Sequence, residues 1–225
     1  MKTLDKTIFQ FLNELEKNNN AAWFDTNRNR YKQLRKNLQE FSDELILKMA
    51  IFDRKLIDDE VTAHVFRINR DTRFSKNKLP YKTNFGVLIL PGGRKAMHER
   101  AGYYIHIENN NSFLGGGAYM PPTTWLNQIR DNIIEEPKMF KKIIQSKSFT
   151  KYFSLEGEKL KTAPRGYAKD HPEIELLRYK SFMGSLGLTN KQIFSEDFIN
   201  FCAGAFEALY PLGKFLNRKG RPGNR

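Results

Sequence analysis

The apolar positions change period twice along the chain, and each change predicts a change of element. Leu4, Ile8, Phe11, Leu12 and Leu15 fall at i, i+4, i+7, i+8 and i+11, one stripe of a helix that Asn18-Asn19-Asn20 ends. Phe24, Tyr31, Leu34, Leu38, Phe41, Leu45 and Phe52 then repeat at helical spacing, which predicts a long amphipathic helix over 21–51. After residue 60 the period becomes two. Stretches 61–69, 84–90, 103–108 and 112–120 are rich in β-branched and aromatic residues and read as strands. Asn109-Asn110-Asn111 joins the last two closely enough for an antiparallel hairpin.

Helical periodicity returns with Leu126, Ile129 and Ile133, and again after Pro137. Thr189 with Gln192 has the form of a capping box, and Ser195 is placed to cap a last helix carrying Phe198, Phe201, Cys202, Ala205, Phe206 and Leu209. Helices, a run of strands and helices again predict an α+β fold. One domain is expected over 1–213, its largely antiparallel sheet drawn from about 61–120. Residues 214–225, rich in Gly and basic side chains without apolar periodicity, are expected to form a basic, disordered tail.

Composition narrows the class. A single cysteine in 225 residues excludes an intramolecular disulfide framework and a Cys-based zinc cluster. The first residues lack the apolar core of a signal peptide, and no apolar run approaches the ~18 residues of a membrane span. The expectation is a cytoplasmic protein with no membrane partner. The net charge of +13 is unevenly spread. Residues 61–107 hold nine basic and two acidic side chains, a net of +7, and 214–225 hold five basic and none acidic. Charge concentrated in this way points to a local anion-seeking site, not a uniformly basic surface.

That first stretch contains Arg67-Ile68-Asn69-Arg70-Asp71-Thr72-Arg73-Phe74-Ser75-Lys76-Asn77-Lys78-Leu79-Pro80-Tyr81-Lys82. It resembles the signature of the uncharacterised bacterial domain-of-unknown-function 2461 family, R-x-x-R-D-x-R-F followed by an Asn or Asp and K-x-x-Y. Asn19-Asn20-Ala21-Ala22-Trp23-Phe24, Tyr103-Tyr104-Ile105-His106, Gly115-Gly116-Gly117, Pro164-Arg165-Gly166-Tyr167 and Lys180-Ser181-Phe182 resemble further blocks of that family. The resemblance implies no settled activity.

Arginine's planar fork suits bidentate pairing with carboxylate or phosphate, and Lys78 and Lys82 add point charges. Arg67, Arg70, Arg73, Lys78 and Tyr81, with Arg165 from a later loop, are therefore the candidate ligand-binding residues for a small anionic, phosphate-bearing ligand. Two other readings stay open. Asp71 and the acidic Asp58-Asp59-Glu60 stretch are positioned to neutralise the arginines in a structural ionic network. The basic stretch with Phe74, Tyr81 and Tyr104 is also suited to nucleic acid.

Alternation places Tyr104, His106 and Glu108 on one strand face and Tyr103, Ile105 and Ile107 on the other. Asp71 and His106 are the candidate proton-transfer groups for hydrolase- or transferase-type chemistry. Gly115-Gly116-Gly117 reads as close backbone approach to a ligand or as a β-bulge, and Gly92-Gly93-Arg94-Lys95 as a turn or a phosphate-contacting loop. The four histidines show no metal-ligand spacing, and neither a P-loop nor a dinucleotide fingerprint is present, so no metal or cofactor is expected.

Overall fold

The computed structural model describes residues 2–59, 61–73, 76 and 78–219. Helices α1 (Ile8–Lys17), α2 (Ala21–Met49) and α3 (Lys55–Asp58) lead into strands β1 (His64–Val65), β2 (Phe85–Ile89), β3 (Gly102–Ile107) and β4 (Ser112–Ala118). Then follow α4 (Thr123–Glu135), α5 (Pro137–Ile144), α6 (Lys147–Tyr152), β5 (Ser154–Glu156), α7 (Ile174–Leu177), β6 (Phe182–Leu188), α8 (Asn190–Ile193) and α9 (Phe198–Leu216). The fold is α+β, as the alternation of periods predicts.

The sheet has six antiparallel strands in the order β1-β2-β3-β4-β6-β5. Two of these strands extend the sheet beyond the expected 61–120. β6 carries Gly184 and Gly187 within seven residues, which blurs its alternation, and β5 is three residues long. The expected strand over 61–69 shrinks to His64–Val65, because the chain then leaves the ladder and crosses itself at the Asn69–Tyr81 bridge. The hairpin at Asn109–Asn111 forms as expected, with Asn110 at φ 58°, a conformation Asn tolerates.

Capping follows the local chemistry. Asn20 Oδ1 accepts from the Trp23 amide at 3.0 Å at the start of α2. Thr189 and Gln192 complete the capping box of α8. Ser195 does not cap α9 as expected: its Oγ accepts from the Asp197 amide at 3.3 Å in the turn before the helix, and the N-cap, Asp197, makes no side-chain cap bond. That last helix also takes in Lys214, Phe215 and Leu216, which the sequence reading assigned to the tail; Phe215 and Leu216 are buried. Residues 220–225 lie outside the described residues.

The core lies on one face of the sheet, under α1, α2 and α9. Tyr103, Ile105 and Ile107 of β3 point into it, as do Phe85, Val87 and Ile89 of β2. The other face carries Gly86, Leu88, Tyr104, His106, Phe113 and Gly115, and opens into a groove. The three glycines at 115–117 make no bulge: β4 pairs without interruption from Ser112 to Ala118 with β6. Their alternation instead divides two roles. A Cβ on Gly116 would meet Leu209 of α9 at 2.6 Å, so glycine there lets the helix lie close on the sheet. Gly115 lies on the opposite face and leaves the groove floor low.

Candidate functional site

The signature folds as a pinned loop. Arg70 N donates to the Pro80 carbonyl and Lys82 N to the Ile68 carbonyl, both at 2.8 Å, on either side of the Asn69–Tyr81 bridge. Asn19 clamps the same place from the end of α1: its Nδ2 donates to the Tyr81 carbonyl at 3.0 Å, and its Oδ1 accepts from the Tyr81 amide at 3.1 Å. The Tyr81 ring is 6 % exposed and stacks on Phe24 with centroids 4.1 Å apart. Tyr81 therefore anchors the loop in the core, and its ring faces away from the groove. This joins the Asn19–Phe24 block to the Arg-rich signature in space.

Pinning the loop sets Arg67 and Lys82 on one wall of the groove, with Arg70 and Arg94 beside that wall and not in the lining itself. Lys82 Nζ donates to the Arg67 carbonyl at 3.2 Å and sits 5.8 Å from the centre of the Phe66 ring. Arg94, from the short 3-10 turn Gly93–His98, lies 5.8 Å from the same ring centre. Burial lowers the Lys82 pKa from its ordinary value, and the charges of Arg70, Arg94 and Arg67 push it the same way. His64 is lowered for the same reasons, by burial first and then by Arg94 and Arg35.

Among the described residues, no carboxylate lies within 4.0 Å of the side-chain nitrogens of Arg67, Arg70, Lys82 or Arg94. Arg70 Nε is buried with no hydrogen-bond partner there. Four clustered cations left in this way favour an anion between them.

The groove floor is aromatic. The rings of His106 and Phe113 stack at 4.7 Å, 14° from parallel, and Tyr104 lies 5.8 Å from Phe113 and 6.3 Å from Phe66. His106 Nε2 is 3.3 Å from Glu108 Oε2, while Nδ1 is 3.3 Å from the Tyr104 hydroxyl and 3.4 Å from Asn84 Nδ2. Burial would raise the Glu108 carboxyl, but hydrogen bonds from Asn111, His106 and Thr83 outweigh it and hold the group below its ordinary value. Burial, then Glu108 and Tyr119, raise the Tyr104 hydroxyl, so it stays protonated and available as a donor. With Glu108 at Nε2, His106 Nδ1 is the nitrogen that Tyr104 and Asn84, both groove-lining, approach, which links the imidazole to a hydroxyl through which a proton can pass.

The remaining sequence candidates fall elsewhere. Asp71 accepts from Arg73 Nε at 3.0 Å and from its Nη2 at 2.7 Å, and that pairing lowers Asp71 to about 2. Both are exposed and neither lines the groove. A carboxyl held that low stays ionised near neutral pH and is unsuited to proton exchange there. Lys78 Nζ donates to the Thr72 carbonyl at 3.0 Å within the loop. Arg165 is exposed in its own loop, away from the groove lining.

His171 lies ahead of α7, where its Nδ1 accepts from the Glu173 amide at 3.0 Å. Phe74, Asn77 and Glu60 lie outside the described residues. Asp59 pairs with Arg100 at 3.7 Å, and not with the signature arginines. Cys202 is buried in the core, where burial raises its thiol well above the ordinary value.

Sequence reasoning named Arg94 only within a turn or phosphate-contacting loop, without joining it to the signature, and missed Phe66, Asn84 and Phe113. Phe113 was within reach, since a hairpin register pairs it with His106. Arg94 was not, because a turn thirteen residues after Tyr81 has no period that fixes its direction. Among the described residues, no group of His, Cys, Asp and Glu is placed to hold a metal ion, and no helix is long and apolar enough to cross a membrane. A family model described as "Conserved hypothetical protein (DUF2461)" matches residues 7–215, and the chain belongs to that family. No curated protein and no solved structure gives a significant match.

Proposed function

For this member of a family whose description names no activity, we propose that the groove binds a small anionic, phosphate-bearing ligand. Arg67, Arg70, Lys82 and Arg94 take the anion, and the Phe66–Tyr104–Phe113 floor takes the adjoining part of the molecule. The observation that supports this reading is the convergence of those four cations without a neighbouring carboxylate among the described residues, one of them with a buried, unpartnered N–H. Hydrogen bonds to charged groups contribute about 1.5–3 kcal/mol. Lys82→Ala or Arg67→Ala should therefore weaken binding of inorganic phosphate roughly tenfold or more in isothermal titration calorimetry. Arg73→Ala, Lys78→Ala and Arg165→Ala should leave it unchanged. Equal losses across both sets would refute the proposal.

Chemistry on the bound ligand is a second reading, favoured by His106 on the floor of the same groove with Glu108 behind it at 3.3 Å from Nε2. His106 is then the proton-transfer group of a hydrolase- or transferase-type reaction, and the cations stabilise charge developing on the transferred group. His106→Gln should abolish turnover of a phosphate ester while sparing phosphate binding. The aromatic floor also suits a stacked base, and a non-enzymatic nucleic-acid module would reveal itself by oligonucleotide affinity that falls steeply with salt.

A further inference from the structure

The groove encloses about 980 Å³, far more than a phosphate ion needs, and its carboxylate-free cations and its methionines lie at different ends. At one end of the strands lie Asn84, His106, Arg67 and Lys82. At the other lie Leu90, Met97, Met120, Pro121, Leu126 and Met183. The two ends are separated along β3 by the four residues from His106 to Gly102, about 14 Å at ~3.4 Å per residue. Between them the floor is low, because Gly102 and Gly115 lie on the groove face where side chains would otherwise stand.

Three methionines on the apolar wall are unbranched and adapt to irregular apolar shapes. Met120 is 67 % exposed and Tyr119 beside it 62 %, so the rim presents apolar surface to solvent. The charged groups that line that end are already paired: Arg100 with Asp59 outside the groove, Lys180 with Glu158 at 2.7 Å within it, and Glu156 Oε1 accepts from the Ser154 hydroxyl at 3.3 Å.

Building on the anion reading, we propose that the natural ligand is an amphiphilic anion, with a phosphate or carboxylate head on the Arg67–Lys82 wall and an unbranched alkyl body along the apolar end. The head and the body are complementary to the two ends of one continuous trough. An inorganic anion would leave the apolar end wet, and an uncharged apolar molecule would leave the cations unpaired.

The test titrates the protein with inorganic phosphate and with butyl, hexyl, octyl and decyl phosphate below their micelle-forming concentrations. Affinity should rise about fourfold per methylene, the equivalent of about 0.8 kcal/mol per buried CH₂, until the trough is full. Met120→Asn removes apolar surface at a residue with φ 43°, a conformation asparagine accepts, so the variant should fold. It should flatten the chain-length dependence and leave phosphate affinity as it was, and Met183→Gln should do the same from the floor.

Chain-length-independent binding of the series, with phosphate still bound, would overturn this inference and leave the anion site standing. Octanol binding as tightly as octyl phosphate would overturn it from the other side. Failure of both phosphate and alkyl phosphates would remove the anion reading as well.

Discussion

Asn19 offers a way to separate the stability of the fold from the placement of its cations. Its side chain makes two hydrogen bonds to the backbone of Tyr81, at 3.0 and 3.1 Å, across 62 residues of sequence. Asn19→Ala removes both. At about 0.5–1.5 kcal/mol each, the loss is about 1–3 kcal/mol, or roughly 2–12 °C in Tm at 2–4 °C per kcal/mol for a chain of this size. Asn20 is the matched control: one residue along, it caps α2 through the Trp23 amide, and Asn20→Ala should cost about 1 kcal/mol.

The two variants diverge in function. Losing the cap loosens the first turn of α2 and leaves Lys82 where it is. Losing the clamp frees the residue next to Lys82, while the Arg70–Pro80 and Lys82–Ile68 backbone bonds and the Tyr81–Phe24 stack still hold the loop near its place. Phosphate affinity should therefore fall about threefold to tenfold in Asn19→Ala and stay within twofold of the parent in Asn20→Ala. Urea denaturation gives the stabilities and calorimetric titration the affinities. Equal affinities in the two variants at their measured stabilities would refute the claim that the clamp positions the cation wall.

The role of Tyr81 and the presence of an anion at Arg94 are open to equally direct tests. Tyr81→Phe keeps the buried ring and should change neither phosphate affinity nor, beyond about 0.5 kcal/mol, stability, whereas Tyr81→Ala should cost about 3–5 kcal/mol, as truncation of a buried aromatic does. A tenfold affinity loss in Tyr81→Phe would instead put its hydroxyl on the ligand. His64 should titrate below its ordinary 6.5, because burial and the nearby arginines oppose its charging; its contribution to stability is present above the unfolded value and is lost as pH falls through the folded one. Phosphate bound at Arg94 should raise the His64 midpoint in NMR titrations, and an unmoved midpoint at saturating phosphate would place the anion elsewhere.

How much of the site was legible in the sequence depended on which residues each element could fix. Alternation along β3 separates the Tyr104–His106 face from the Tyr103–Ile105 face, and the structure puts the first on the groove and the second in the core. The Arg-rich signature was visible as charge and as resemblance, yet its seven-residue span from Arg67 to Arg73 sends its arginines to different surroundings. Arg67 and Arg70 lie with Lys82, while Arg73 turns back onto Asp71. No spacing rule covers an irregular loop, so the direction of each side chain waited on the bridge at Asn69–Tyr81 and on the Asn19 clamp.

By itself the sequence determined what is local: the helical stripes of α1 and α2, the hairpin at Asn109–Asn111, the capping box at Thr189 and the α+β class. Each of these depends on residues a few positions apart, whose periodicity and backbone preferences act before any tertiary contact forms. Tertiary structure alone decided that β6 enters the sheet between β4 and β5, that the Tyr81 ring is buried against Phe24, and that Arg94 joins the signature's cations beside an apolar trough. Those outcomes depend on burial and charge between residues far apart in the chain, and such distances are set only when helices cover one face of the sheet and leave the other open.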